Sequence, residues 1–175
     1  ETELLHQCIF MLNAGHETST NMLSHGLNEL INHKDQYKLL QKEPGRIDTA
    51  IDEILRFQPP IQINNRRCLE KTKLGDVVVP EGTSVHMIIA GANRDPLQFF
   101  EPETFDISRS PNRHLSFGLG IHICAGINLA RVEAKVAFQS LMSSFREINL
   151  LKKPNVANRI RFREIKEMQI EVSSF

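Results

Sequence analysis

The sequence predicts a mainly α chain carrying small antiparallel β-sheets, and three observations predict it. Apolar residues recur at three-to-four spacing from Leu4 to Phe57 and again from Leu129 to Leu141, as in helices with one buried stripe. Between these regions lie short runs rich in β-branched residues, broken by glycine and proline. The 175 residues are 41% apolar and carry 21 basic against 21 acidic side chains, which fits one ordinary globular domain.

The elements follow in order. Leu4, Leu5, Cys8, Ile9 and Leu12, then Leu23, Leu27, Leu30 and Ile31, mark one long helix with a buried stripe. Gly15 and the hydroxyl residues of "AGHETST" weaken it locally, so a kink or opening is expected there. "DQYKLLQKE" is a short helix closed by Pro44 and Gly45, and "IDTAIDEILRFQ" is another stopped by Pro59 and Pro60. "IQINNRR", "TKLGDVVVP" and "TSVHMIIAG" read as strands, with a turn at Pro80–Gly82 between the last two. Residues 93–111 hold three prolines and no steady period, which predicts an ordered but irregular segment. "INLARVEAKVAFQSLMSSF" is helical, its stripe running through Leu129, Val132, Val136 and Leu141. "RIRFREIKEMQIEVSS" reads as a final hairpin.

Balanced charge argues against a nucleic-acid partner. The three cysteines, Cys8, Cys68 and Cys124, form no CxxC pair, so neither a disulfide framework nor a zinc site is indicated and a reducing compartment fits. No apolar run reaches spanning length and no signal segment is evident. The helical pattern begins at Glu1 without lead-in, as in a chain cut at its start.

"FGLGIHICAG" concentrates chemistry. Cys124 precedes a helix, where the dipole and free N–H groups favour a thiolate, a soft metal ligand. Gly118, Gly120 and Gly126 let backbone approach a flat ligand and aim amides at the sulfur. His122 could reach an anionic edge of that ligand. The alternative is a buried structural cysteine at a glycine-rich turn. Glu53 and Arg56 sit three apart on one helix face, a spacing that by itself is common.

The pattern Phe117-x-x-Gly-x-His-x-Cys-x-Gly resembles the cysteine loop of the cytochrome P-450 family, with histidine in place of arginine. "AGHET" resembles that family's oxygen-binding segment, and "EILR" ending at "FQPP" resembles its Glu-x-x-Arg helix. The motifs stand in the family's order, and "NRDP" and "HLSFGLGIHICAG" are similar to soluble bacterial members.

The resemblance implies the C-terminal half of the cytochrome P-450 fold, with residues 1–175 as its haem-binding part and the N-terminal half outside the sequence. It implies haem b, with Cys124 as the axial iron ligand and Phe117, Gly118 and Gly126 as further cofactor-binding positions of the loop. Thr18 and Glu17 would order water and deliver protons to dioxygen, and Glu53 and Arg56 would form a buried brace. Many members complete that brace with an arginine where "PETF" carries Thr104; Arg109 is the substitute that bacterial members suggest. Arg66 and His122, with His114 as a third, would meet haem propionates, and Ala14, Ile61 and Ile63 would face the substrate.

The implied activity is a monooxygenase inserting one oxygen atom from O2 into a small, apolar organic substrate, in the cytoplasm, fed by a ferredoxin or flavodoxin. Arg113, Arg131 and Lys135 would offer a docking patch. Two alternatives stand beside it: a peroxygenase or isomerase at the same haem, which retention of Thr18 disfavours, and a truncated, catalytically inactive remnant or non-enzymatic module.

Overall fold

The computed structural model describes residues 1–175. Helix α1 (Thr2–Asn32), α2 (Lys34–Lys42) and α3 (Ile47–Phe57) come first, with a single 3-10 turn at Pro44–Arg46 between the last two. Strands β1 (Ile63–Arg67), β2 (Thr72–Leu74), β3 (Val77–Val79) and β4 (Ser84–Ile88) precede a one-turn helix α4 (Ile89–Ala92). Residues 93–111 are irregular, as their prolines predict, and the irregular path continues to residue 119. The long helix α5 (Ile127–Ser144) then leads to β5 (Phe145–Leu150), β6 (Asn155–Val156), β7 (Ile165–Glu167) and β8 (Ile170–Ser174). The chain is therefore mainly helical with small antiparallel sheets.

The core lies where α1, α3 and α5 meet. Met22, Leu30, Ile51, Ile54, Ala134 and Phe138 bury together with Ile107 from the irregular segment and Ile148 from β5. Each large apolar side chain so enclosed contributes about 1.5–3 kcal/mol. Gly26 permits the close approach: a Cβ there would stand 2.5 Å from Phe138 Cζ and 3.0 Å from Ile54.

Two helical stripes differ from expectation. Leu4, Leu5, Cys8, Ile9 and Leu12 are exposed, because α3, α5 and β5 pack against the second half of α1, where its buried residues begin at Asn21. On α5 the period is right but the face is not. Ala134, Phe138 and Met142 are buried, while Leu129, Val132 and Val136 point outward.

Helix α1 also runs unbroken through "AGHETST". Thr18 Oγ1 donates to Ala14 O at 2.6 Å and Thr20 Oγ1 to His16 O at 2.9 Å, so these hydroxyls bond back onto the helix without opening it.

The sheets are four two-stranded pairs: β1 with β4, β2 with β3, β5 with β8 and β6 with β7. "TKLGDVVVP" is thus a hairpin rather than one strand, turning at Gly75, whose φ of 58° lies in the left-handed region glycine favours. The Pro80–Gly82 turn joins β3 to β4, yet β4 pairs with β1 in a register running from Ile63 opposite Ile88 to Arg67 opposite Ser84. "IIAG" leaves that ladder and coils into α4. The expected final hairpin is likewise two pairings made at a distance, since β7 meets β6 and β8 returns to β5.

Candidate functional site

The site is built from the brace upward. Glu53 and Arg56, one turn apart on α3, have wholly buried side chains. Arg56 Nε donates to Glu53 Oε2 and Nη2 to Oε1, both at 2.8 Å, a bidentate fork. The remaining guanidinium hydrogens reach the carbonyls of Asn93 (3.0 Å), Pro102 (2.8 Å) and Thr104 (3.0 Å). Glu53 in turn accepts from Asp106 N at 2.9 Å, from Asn112 Nδ2 at 3.0 Å and from Arg109 Nε at 3.2 Å. A buried pair is tolerable only when satisfied in this way.

Arg109 thus lies at the third corner of the brace. It extends the network into the irregular segment, donating to Phe100 O at 2.6 Å, Glu101 O at 3.1 Å and Thr104 O at 3.1 Å. Thr104 takes part through its backbone, its carbonyl accepting from both arginines.

Asn93 connects the brace to the cysteine loop, a role the sequence reading missed. Fully buried, it accepts from Leu115 N at 2.8 Å and donates to Ser116 Oγ at 3.0 Å, while its own carbonyl receives Arg56. Ser116 Oγ then donates to Leu55 O on α3 at 2.6 Å. The only signal in the sequence was the phrase "NRDP", which singles out no side chain.

The loop itself is a backbone device. Phe117 is half-buried against the core, and its carbonyl accepts from Cys124 N at 2.8 Å. Gly118 and Gly120 hold φ of 73° and 74°, conformations that other residues adopt only under strain. A 3-10 turn at Gly120–His122 then delivers Cys124 just ahead of α5. The thiol is exposed, flanked by exposed Leu119, Ile121 and Ile123. A Cβ on Gly126 would stand 3.9 Å from its sulfur.

Other predicted residues lie outside this network. Glu17 Oε1 accepts from Arg159 Nη1 at 3.1 Å, and Thr18 bonds to Ala14; neither bonds to the cysteine loop. The Glu17–Arg159 pair lines an open polar cleft of about 530 Å³, with Asn13, His16, Thr20, Asn21 and Glu164. Arg66 is exposed and donates to Asn65 O at 2.9 Å, and His122 is exposed. Ala14 is exposed on α1, whereas Ile61 and Ile63 are half-buried, with Ile61 bridged to Phe162, a neighbour the sequence did not suggest. Of the expected docking patch, Arg113 is exposed. Arg131 pairs with Asp52 at 2.7 Å and Lys135 with Asp48 at 3.0 Å, so these two cations brace α5 against α3.

No three His, Cys, Asp or Glu side chains gather to hold a metal ion. A metal that brings its other ligands with it needs no such cluster beside Cys124. A haem iron is of this kind, and takes a cysteine thiolate as its protein ligand in P450 enzymes. An exposed thiol at a helix start, in a glycine turn walled by apolar side chains, fits that group.

Comparison with known proteins decides the family. The sequence profile named "Cytochrome P450" matches residues 1–163. The chain belongs to the cytochrome P450 family. It is 41% identical over 150 residues to the biotin biosynthesis cytochrome P450 of Bacillus subtilis, covering 86% of this chain and 38% of that protein. It is 40% identical over 162 residues to cytochrome P450 119 of Sulfolobus acidocaldarius, covering 91% and 43%. Among solved structures, P450BioI bound to an acyl carrier protein carrying hexadec-9Z-enoic acid superposes with a TM-score of 0.93 at 37% identity, covering 95% of this chain and 44% of that one. CYP109E1 of Bacillus megaterium with testosterone gives 0.94 at 32%, covering 97% and 48%. The chain thus spans less than half the length of these P450s. No helix is long and apolar enough to cross a membrane.

Proposed function

We propose that this chain is the C-terminal, haem-binding part of a cytoplasmic haem-thiolate monooxygenase that inserts one oxygen atom from O2 into a small, apolar organic substrate. The observation that carries the proposal is the exposed Cys124 thiol, held by the Phe117 carbonyl on a loop that Asn93 and Ser116 tie to the buried Glu53–Arg56–Arg109 brace.

Haem b is the cofactor proposed, and thiolate ligation supplies the electron density that favours O–O cleavage. Cys124 would hold the iron, and the lack of side chains at Gly118 and Gly126 would let a flat macrocycle approach the loop. Arg66 and His122, both exposed in this chain, are free to take propionates. Glu17 and Thr18 form the proton relay, with Arg159 fixing the Glu17 carboxylate and the Thr18 hydroxyl retaining its acceptor capacity while it donates to Ala14.

Ala14, Ile61 and Ile63 provide small and branched apolar surface toward the substrate. The likeness to P450s crystallised with a carrier-bound fatty acid and with testosterone supports an apolar compound of that kind. A ferredoxin or flavodoxin supplies the electrons.

Labelling tests this reading. The haem-loaded chain, given ferredoxin, its reductase and NADPH under ¹⁸O2, should place one labelled oxygen in a long-chain fatty acid or steroid. Turnover with hydrogen peroxide but none with O2 would support the peroxygenase alternative, and a chain that takes up no haem would support the truncated, inactive remnant instead.

A further inference from the structure

Beside the buried brace lies a second ion cluster that the proposed chemistry does not use. Asp52, next to Glu53 on α3, is half-buried and meets a separate set of partners. Its Oδ1 receives His114 Nε2 at 3.3 Å and Arg131 Nη2 at 2.7 Å. His114 belongs to the approach to the cysteine loop and has a side chain only 4% exposed, whereas Arg131 stands on the second turn of α5, after the cysteine. One carboxylate therefore holds both ends of the Cys124 loop.

Phe117 lies between the two arms. Its ring centroid is 5.9 Å from that of His114 and 5.7 Å from the Arg131 guanidinium, within the range of aromatic and cation–π contacts. Its carbonyl is the group that receives the Cys124 amide, and His114 Nδ1 accepts from Ser116 N at 3.3 Å. Charge-assisted bonds in this partly dry setting are about twice as strong as neutral ones.

We infer that Asp52 is a positioning residue for Cys124: by holding His114 and Arg131 it clamps Phe117, and through the Phe117 carbonyl it fixes where the thiolate stands. The inference deepens the haem-thiolate reading and rests on it for the identity of the ligand, though not for the clamp.

The Asp48–Lys135 pair provides an internal control. It also joins α3 to α5, but none of its bonds reaches the loop. Hydrogen exchange by mass spectrometry is to be compared for the haem-free chain, Asp52→Asn, Asp52→Glu and Asp48→Asn. The expected result is exchange about 10-fold faster in residues 114–126 of Asp52→Asn, with the Glu53–Arg56 turn unchanged, recovery in Asp52→Glu, and no change in Asp48→Asn. Unchanged loop exchange in Asp52→Asn, or an equal rise in Asp48→Asn, would overturn the inference. If Asp52→Asn does not fold, His114→Leu, which removes the donor to Asp52 and leaves Arg131 in place, carries the same expectation.

A second reading uses haem. At equal haem content, reduced, carbon-monoxide-bound Asp52→Asn should lose part of the red-shifted thiolate Soret band, which Asp52→Glu restores. A full band in Asp52→Asn would overturn the clamp. Absence of haem from the unaltered chain would instead defeat the proposed function, and the exchange experiment would still decide on Asp52.

Discussion

Arg109 Nε lies 3.2 Å from Glu53 Oε2, so a carboxylate already forked by Arg56 on its own helix is met by a second arginine from 56 residues further along the chain. Neither α3 nor the irregular segment could bury these charges alone. Together they make the rigid floor on which the cysteine loop is laid.

Removing one partner should therefore be severe. Arg56→Leu leaves Glu53 buried without its fork, a loss of about 3–5 kcal/mol. Denaturant unfolding should show it, and the variant should retain no haem. Arg109→Ala, at the more open edge of the network, should be milder, at about 1–3 kcal/mol. Equal effects would contradict the geometry.

The close approach at Gly26 gives a steric test. In Gly26→Ala the new methyl meets Phe138 and Ile54, which are both packed core residues, so about 1–3 kcal/mol should be lost. Thermal unfolding would measure it. Gly15→Ala, where nothing lies within 4 Å, should be neutral or slightly stabilising.

Glu17 and Arg159 invite the opposite expectation. Their ion pair is exposed, so Arg159→Gln should change stability by less than about 0.5 kcal/mol. If Arg159 fixes the carboxylate of the relay, the same variant should move the pH profile of O2-dependent turnover, with Glu17→Gln lowering the rate itself. An unaltered profile would remove Arg159 from the relay.

His25 predicts a pH effect. Burial is the largest influence on it and holds the ring below its ordinary 6.5, although the bond of Nε2 to the Arg163 carbonyl pulls upward. The unfolded chain then takes up a proton near 6.5 that the folded chain refuses until lower pH. The stability His25 contributes is present above that value and is lost as pH falls through the folded one. Unfolding midpoints should drop from about pH 7.5 to about 5.5 and flatten in His25→Gln; the same slope in both would contradict it.

Much of the site was legible because its chemistry is local. The glycines, Phe117 and Cys124 fall within ten residues, and Glu53 and Arg56 within one turn. What stayed hidden depends on chain return. Nothing near Asn93 announces that it will meet Leu115, nor anything near Asp52 that it will meet Arg131. The sheets erred for the same reason: β4 closes on β1 across an inserted hairpin, a pairing that alternation within either strand cannot specify. Apolar period located α5 but not its inner face, since Leu129, Val132 and Val136 form as regular a stripe as Ala134, Phe138 and Met142.

The central claim is that Cys124 is an iron ligand on a preformed loop. The most direct measurement is the absorption spectrum of the haem-loaded chain, reduced and bound to carbon monoxide, beside Cys124→Ser. A strongly red-shifted Soret band present in the first and absent in the second is the predicted result. A band that ignores the substitution would contradict the account.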